Sequence, residues 1–207
     1  MTEQNRRRSE GPRRSPAERK RQIVAHARRL FTLQGYEATT LEQLAEAAAV
    51  AAASLAKHFP DKTAVLEGIV NELREAASER WPAEAAAAGP LPRLHALTDL
   101  YLDLARSRAE DLRLLSRLLL DESGDALPVV RSLALECEAF LARVIVEGQQ
   151  SGVFRRSLDP RVGAWELLRS ALGYTLTQPL GIPLDGEPDY LARALDCLLH
   201  CLLKTDV

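Results

Sequence analysis

The sequence predicts an all-α protein of about nine helices, arranged as a small N-terminal domain of three helices and a larger C-terminal helical domain. Apolar residues recur at intervals of three and four through most of the 207 residues, as one buried face of a helix requires. No stretch shows the alternation of apolar and polar residues that predicts a half-buried strand. Proline, glycine and capping residues indicate a basic arm at 1–16, a first domain at 17–62 and a second at 63–207.

The first predicted helix ends at Gly35, because glycine readily adopts the positive φ that follows many helices. Its apolar face is formed by residues at helical spacing: Ile23, Val24, Ala27, Leu30 and Phe31. The second helix begins at one of two overlapping capping boxes, Thr39 with Glu42 or Thr40 with Gln43. Its apolar face comprises Leu41, Leu44, Ala45 and Ala48.

A tight turn separates the second predicted helix from a third, which ends before Pro60. Val50, Leu55 and Phe59 would complete the small core from this third helix. A longer fourth helix follows, with Asp61 as its N-cap. Two helices joined by a tight turn inside a small helical domain form a helix-turn-helix, whose usual task is to set its second helix into the major groove of DNA.

The chain beyond residue 63 is also predicted to be helical, with connecting segments at 81–90, 121–128 and 181–189. Periodic stretches rich in leucine place the further helices at about residues 94–104, 112–119, 133–145, 160–176 and 190–203. The strongest start signal is Asp159 followed by Pro160, a capping residue and then a proline in the first turn.

Charge is unevenly distributed along the chain, although the net formal charge is only −2. Residues 1–62 contain 12 Lys/Arg and 7 Asp/Glu, a net of +5, whereas residues 63–207 contain 15 and 22, a net of −7. A basic N-terminal quarter indicates a module that meets a polyanion. The arm arginines lie among Ser, Gly, Pro and Glu, so we expect a disordered arm, which can still follow phosphates or enter the minor groove.

Enzymes and membrane proteins are not indicated. The histidines are scattered, and no nucleophile motif, phosphate-binding loop or metal-ligand spacing is found, so we expect no catalytic residue, metal or cofactor. No apolar run approaches the ~18 residues of a membrane span, and no secretory signal is evident, so we expect a cytoplasmic protein. Three cysteines favour reduced thiols, with Cys197 and Cys201 as core residues rather than a redox or metal site with His200.

The first 66 residues resemble the N-terminal domain of the TetR family of bacterial transcriptional regulators. The resemblance rests on LF-x-x-x-GY-x-x-TT at 30–40, on the turn, and on HFPDK at 58–62. Further along, it rests on the number of helices and on the segment SGVFRRSLDP at 151–160. It implies an N-terminal domain that binds operator DNA, and a C-terminal domain that dimerises through its last two helices and encloses a small effector. A two-fold homodimer would then read two half-sites.

The turn and third helix depart from the family's usual pattern, G-V-S-K-G-T-L-Y-x-H-F in type, because residues 49–59 read AVAAASLAKHF. Ala49 replaces the turn glycine and is expected to strain a positive φ by about 1 kcal/mol. Ala51 replaces a capping serine, typically worth about 1 kcal/mol of helix stability. Ala52 and Ala56 replace the lysine and the tyrosine, and alanine cannot hydrogen-bond a base edge or a phosphate through its side chain.

The remaining candidates for DNA contact are Thr40, Ser54, Lys57, His58 and Lys62, with Arg13 and Arg14 of the arm in support. Structural interpretations stand beside these: Ser54 could satisfy the helix backbone, Lys57 could be a solvated charge, and His58 could pack beside Phe59. Lys62 lies in the first turn of a helix, where a cation is mildly unfavourable, and a nearby phosphate would offset that cost.

Polar-tipped or charged residues in the apolar stretches of the second domain are the candidate lining of an effector pocket: Trp81, Tyr101, Arg117, Trp165 and Tyr174. The alternative is ordinary core packing for the aromatic residues and a surface ion pair for Arg117. Because aromatic residues make up only 5% of the chain and leucine is abundant, we expect an apolar or amphipathic effector. The helices at about 160–178 and 188–203 carry excess apolar surface and are expected to form the homodimer interface.

The sequence therefore predicts a ligand-responsive, DNA-binding transcriptional regulator of TetR type, acting as a repressor. Its expected partners are double-stranded DNA, a small effector and a second copy of the chain. The alternative is a dimeric, helical small-molecule-binding protein of the same descent in which DNA binding is weakened or lost.

Overall fold

The protein is described by a computed structural model that covers residues 15–120 and 124–180, together with 193, 194, 196, 197, 199 and 200. Within these residues the secondary structure is helical, as predicted, and the helices are α1 (Pro16–Gln34), α2 (Leu41–Ala47), α3 (Ala52–His58), α4 (Lys62–Arg80), α5 (Ala83–Ala87), α6 (Pro90–Ser107), α7 (Ala109–Leu120), α8 (Leu127–Gln150) and α9 (Pro160–Thr177). A single 3₁₀ turn, Gln178–Leu180, extends α9.

The chain divides into two compact units, the first ending at Gly68 and the second beginning at Ile69. The division falls inside α4, so this helix starts in the first unit and continues in the second. The boundary inferred from the sequence lies at residue 62, where α4 begins.

The first helix has favourable capping residues at both of its ends. Ser15 is the N-cap of α1: its hydroxyl accepts the Glu18 N–H at 3.2 Å, and its own N–H donates to the Glu18 carboxylate at 2.6 Å. Pro16 occupies the first turn, where its missing N–H costs nothing. Gly35 ends the helix with a φ of 91°, as the sequence predicted.

The core of the first unit is formed by the apolar faces that the sequence indicated. Its buried side chains come from all four helices and from the α1–α2 connection: Ile23, Val24, Ala27, Phe31, Tyr36, Leu44, Ala45, Ala48, Leu55, Phe59, Val65 and Leu66. Burying each large apolar side chain contributes about 1.5–3 kcal/mol. The predicted face residues Leu30, Leu41 and Val50 are only half-buried.

The second unit is built around α6, α8 and α9. Its central cluster consists of Leu94, Leu102, Val144, Ile145, Phe154, Ala164, Leu167 and Leu199. The connection from α8 to α9 closes tightly on this cluster, because the Phe154 ring lies against Gly148 and leaves no space for a Cβ there. Asp159 then caps α9 by accepting the backbone N–H groups of Arg161 and Val162, which confirms the predicted start.

Several details differ from the sequence prediction. The alanine-rich connector contains a short helix, α5, because alanine favours helix even without an amphipathic pattern. The predicted loop at 121–128 is shorter, since α8 already begins at Leu127 with Pro128 in its first turn. The helix predicted at 190–203 lies largely outside the described residues. Cys197, expected in the core, is exposed in the single chain. Cys201, expected there as well, lies outside the described residues.

No helix in the described parts of the chain combines the length and the apolar character that crossing a membrane requires.

Candidate nucleic-acid interface

The start of α2 is fixed by the second of the two capping boxes. The Thr40 hydroxyl accepts the Gln43 N–H at 3.3 Å, and the Gln43 side-chain oxygen accepts the Thr40 N–H at 3.0 Å. Thr39 is not the cap: it is buried and donates its hydroxyl to the Gly35 carbonyl at 2.7 Å. Thr40 therefore lies exposed at the N-terminus of α2, where backbone N–H groups favour anions.

An acidic side chain shares this end of α2. The N–H of Glu42 itself and, next, the Thr40 hydroxyl donate to the Glu42 carboxylate, and these hydrogen bonds hold the pKa of the Glu42 carboxyl below its usual range. Glu42 is fully exposed, so its charge faces solvent and opposes the approach of a phosphate to Thr40.

The turn between α2 and α3 retains the geometry that usually requires glycine. Ala49 has a φ of 51°, the one positive φ of a non-glycine residue in the described chain. Gln22 of α1 supports this turn by donating its side-chain N–H to the Ala48 carbonyl at 2.7 Å. Ala51 is the N-cap of α3 and supplies no side-chain hydrogen bond, so both consequences expected of the alanines at 49 and 51 are present in the structure.

The outward surface of α3 consists mainly of methyl groups. Ala52, Ala53 and Ala56 are exposed, and Leu55 alone is fully buried. Lys57 is exposed in the last turn, where a cation interacts favourably with the helix dipole. The two remaining candidates on α3, Ser54 and His58, are half-buried.

Lys62 has a different environment from Lys57. Its ammonium group donates to the backbone carbonyls of Tyr36 at 3.1 Å and Glu37 at 3.3 Å. The same group lies 4.6 Å from the centre of the Tyr36 ring and 3.9 Å from the Glu37 carboxylate, and the side chain is only 23% exposed. The unfavourable interaction of this cation with the N-terminal end of the α4 dipole is thus offset by the carbonyl oxygens of the α1–α2 connection.

The basic charge of the N-terminal region is concentrated in the arm. Residues 15–68 contain 7 Lys/Arg and 6 Asp/Glu, a net of +1, whereas residues 1–14 contain five arginines and two glutamates, a net of +3. Arg13 and Arg14, the two arm residues expected to contact DNA, lie outside the described residues.

Among the candidate effector residues, Tyr101 has the most developed polar environment. Its hydroxyl on α6 donates to the Ala171 carbonyl on α9 and shares a hydrogen bond with the Thr175 hydroxyl. Burial, opposed by the Thr175 hydrogen bond and reinforced by Tyr174, raises the pKa of Tyr101 to about 12. The phenol is therefore a neutral hydrogen-bonding group at any ordinary pH.

The other four candidates are placed differently. Tyr174 packs with Tyr101 against the central cluster, and its hydroxyl accepts from the Gln178 side chain at 3.2 Å. Trp81 meets Phe140 edge to face, with ring centres 6.1 Å apart. Trp165 is half-buried on α9, and Arg117 is exposed on α7. Within the described residues, the central cluster includes neither Trp165 nor Arg117.

Two open depressions lie elsewhere on the second unit. One, of about 340 Å³, is lined by Leu127, Pro128, Arg131, Ser132 and Leu135. The other, of about 570 Å³, is lined by Arg193, Asp196, Cys197 and His200. None of the five candidate effector residues lines either depression. In the part of the chain that the structure describes, no group of three His, Cys, Asp or Glu side chains is arranged to hold a metal ion.

The sequence did not identify the polar residues that hold the helix-turn-helix together. Gln34 donates to the Gln43 side chain at 2.9 Å and to the Thr39 hydroxyl at 3.1 Å, so it links the end of α1 to the cap of α2. Gln22 and Tyr36 act in the same way on the turn and on the connection. The only available signal was the polar group that each of these side chains carries.

Comparison with known proteins places these features in context. Residues 23–69 match the model of the bacterial regulatory proteins of the tetR family. Sequence comparison with curated proteins gives no match. Solved structures are similar over nearly the whole chain. The SmeT–triclosan complex has a TM-score of 0.76 and 18% identity, and covers 91% of this chain and 93% of its own.

Two further solved structures are similar over comparable lengths. NalD, the secondary repressor of the MexAB-OprM multidrug efflux pump in Pseudomonas aeruginosa, has a TM-score of 0.69 and 21% identity, with coverage of 91% of this chain and 97% of its own. AibR in complex with isovaleryl coenzyme A and operator DNA has a TM-score of 0.63 and 25% identity, with coverage of 86% and 95%. At these identities the likenesses establish the fold.

Proposed function

We propose that this protein is a dimeric, DNA-binding transcriptional repressor that releases its operator when a small effector binds. The match of residues 23–69 to the tetR-family model and the similarity of the fold to solved regulators support this proposal. Proteins of this family are regulators rather than enzymes. The proposed site of action is a DNA operator, so the protein would work in the cytoplasm.

The observation that supports DNA binding is the intact frame of the helix-turn-helix. Thr40 caps α2, the turn keeps its positive φ at Ala49, and α3 presents an exposed face ending in Lys57. A recognition helix held in this way has the geometry to enter the major groove. We assign phosphate contacts to Thr40, Lys57, Arg13 and Arg14, and groove contacts to Ser54 and His58.

A small apolar or amphipathic effector is supported by the interior of the second unit. Tyr101, Tyr174 and Thr175 place hydroxyl groups beside a cluster of leucine, isoleucine, valine, alanine and phenylalanine side chains. Hydroxyl groups beside an apolar surface would suit a ligand with an extensive apolar surface and one or two polar atoms. The similar SmeT and AibR structures contain triclosan and isovaleryl coenzyme A, respectively.

The second candidate function is a helical small-molecule-binding dimer with weakened or lost DNA binding. The alanine face of α3 favours it, because the side chains of Ala52, Ala53 and Ala56 offer no hydrogen-bond donor to bases or phosphates. The Glu42 carboxylate beside Thr40 also favours it, since like charges repel at the phosphate backbone.

Fluorescence anisotropy distinguishes the two functions. Labelled duplexes from the DNA flanking the gene are titrated with the full chain, beside a scrambled duplex of equal length and composition. A repressor with this recognition helix should bind one flanking duplex saturably, with a preference over the scrambled duplex near the lower end of the usual range, about 10³-fold. Equal, weak binding of every duplex at about 150 mM salt would favour the second function.

The effector part of the proposal has its own test. A thermal-shift screen of apolar and amphipathic compounds gives a ligand, whose affinity is then measured by calorimetry with and without the bound duplex. Linkage requires DNA to weaken the ligand by the factor by which the ligand weakens DNA. Equal ligand affinities in the two titrations would contradict effector control.

A further inference from the structure

The ammonium group of Lys62 is already hydrogen-bonded within the protein, unlike a side chain whose donors are free to contact a phosphate. Two successive backbone carbonyls, those of Tyr36 and Glu37, accept from its ammonium group at 3.1 and 3.3 Å. An ammonium group has three donors, so two of those of Lys62 are engaged inside the protein. The Glu37 carboxylate, 3.9 Å from the same group, adds an ion pair.

The accepting carbonyls belong to the segment that leads into α2. The Tyr36 carbonyl also accepts the Thr39 N–H at 3.2 Å, and Thr39 in turn donates to the Gly35 carbonyl. The next residue, Thr40, is the N-cap of α2. Lys62 therefore acts on the few residues that determine where α2 begins.

The neighbour of Lys62 strengthens the same attachment. The hydroxyl groups of Thr63 and Tyr36 are 3.3 Å apart, and the Tyr36 ring, which is 2% exposed, packs against Phe31 with ring centres 5.0 Å apart. The ammonium group of Lys62 lies over the face of this ring. The first two residues of α4 thus contact the backbone, the ring and the hydroxyl of the segment before α2.

We propose that Lys62 is a positioning residue for DNA binding, which fixes the N-terminus of α2 against the first turn of α4 and makes no phosphate contact of its own. The inference rests on the proposed repressor function. It assigns to the two lysines of the helix-turn-helix different tasks: Lys57 meets the DNA backbone, and Lys62 holds the element that presents Thr40.

Salt dependence separates the two tasks. Each phosphate contact adds about 0.9 to the slope of log affinity against log salt concentration, whereas a positioning contact adds nothing. The variants are Lys62→Met and, as a matched control, Lys57→Met, each titrated with the operator duplex at four salt concentrations. Lys62→Met should lower affinity about tenfold at every salt concentration with an unchanged slope. Lys57→Met should flatten the slope.

A second measurement needs no DNA. Amide hydrogen exchange of the free protein should become about tenfold faster at Thr39 and Thr40 in Lys62→Met, because their local opening loses its restraint, while Leu66 in α4 stays protected. Lys57→Met should leave all three amides unchanged. If Lys62→Met does not fold, Lys62→Gln, which keeps a hydrogen-bond donor without the charge, takes its place in both measurements.

The outcomes are distinct. A flatter slope of log affinity against log salt concentration in Lys62→Met, with unchanged exchange at Thr39 and Thr40, would overturn the proposal and make Lys62 a phosphate contact. Unchanged affinity, slope and exchange would overturn it as well. If the parent protein binds no duplex, the repressor function fails, and faster exchange at Thr39 and Thr40 would still support the attachment of α2 by Lys62.

Discussion

At the scale of single residues, Ala49 adopts a positive φ that usually favours glycine. A φ of 51° brings the Cβ close to the following carbonyl oxygen, which costs an L-residue roughly 1–2 kcal/mol. The Gln22 hydrogen bond to Ala48 and the buried faces of α2 and α3 maintain this turn. The strain is therefore offset by packing around it.

Replacing Ala49 by glycine should stabilise the protein by about 1 kcal/mol, because glycine adopts this φ without the Cβ clash. Ala53→Gly is the control: Ala53 is also exposed but belongs to α3, where glycine should destabilise by up to about 1 kcal/mol. Urea unfolding of the two variants and the parent measures both effects. An Ala49→Gly variant that is less stable than the parent would show that this turn carries no strain.

At the scale of single elements, the outward face of α3 consists mainly of alanine methyl groups. The helix is held by the burial of Leu55 and by Lys57 in its last turn, and it has no side-chain N-cap. The residues that could act on DNA are therefore carried on neighbouring elements as much as on α3 itself: Thr40 at the start of α2 and the arginines of the arm.

Placing a tyrosine at Ala56 should strengthen DNA binding about five- to tenfold through one added hydrogen bond to a phosphate. The gain should be similar for the operator and for the scrambled duplex, since a phosphate contact positions without reading sequence. Ala25→Tyr, at an exposed position of α1, serves as the control and should change neither affinity. A gain confined to the operator would mean that position 56 faces a base edge.

The sequence was sufficient to predict most helices, because their signals are local. Periodic apolar residues, Gly35 and the Asp159–Pro160 pair each act within one turn of the helix they define. Periodicity cannot detect α5, since a run of alanines has no polar face. Two capping boxes were possible at Thr39 and Thr40, and the choice depends on tertiary burial of Thr39.

The candidate site was less predictable for the same physical reason. The partners of Lys62 are carbonyls about 25 positions earlier in the chain, and a carbonyl has no signature in a sequence. Likewise, Gln22 reaches Ala48 and Tyr101 reaches Ala171 only after helices have packed. Residue types could suggest which side chains carry charge or hydroxyl groups, but not which of them would already be engaged.

At the scale of the whole molecule, we expect the electrostatic attraction to DNA to depend on the arm, because residues 15–68 carry a net charge of only +1. Deleting residues 1–14 should weaken binding and lower the salt slope by about 0.9 for each arginine that contacts a phosphate. The deletion keeps Ser15, so the cap of α1 and the helical circular dichroism should be retained. Unchanged affinity and slope would show that the arm takes no part in binding.

The proposed dimerisation is a second property that belongs to the scale of the whole molecule. Leu172 is half-buried on α9, while Val162, Leu176 and Leu180 on α9 and its 3₁₀ extension are 50%, 41% and 67% exposed in the single chain. Leu176→Arg should therefore place an unpaired charge in the proposed interface and produce monomers in sedimentation at micromolar concentration. Leu33→Arg, at an equally apolar position on α1, should leave the dimer intact. A monomeric parent would contradict the proposed interface.

The exposed alanines of α3 also determine how much side-chain conformational entropy the helix loses when another surface covers it. A long side chain gives up as much as about 2 kcal/mol of rotamer freedom on being immobilised, whereas alanine has none to give up. Ala52, Ala53 and Ala56 form most of the outward face, so Lys57 is the one long, exposed side chain of α3 that docking would immobilise. The conformational entropy cost of burying this helix is consequently small, and even weak contacts retain most of their free energy.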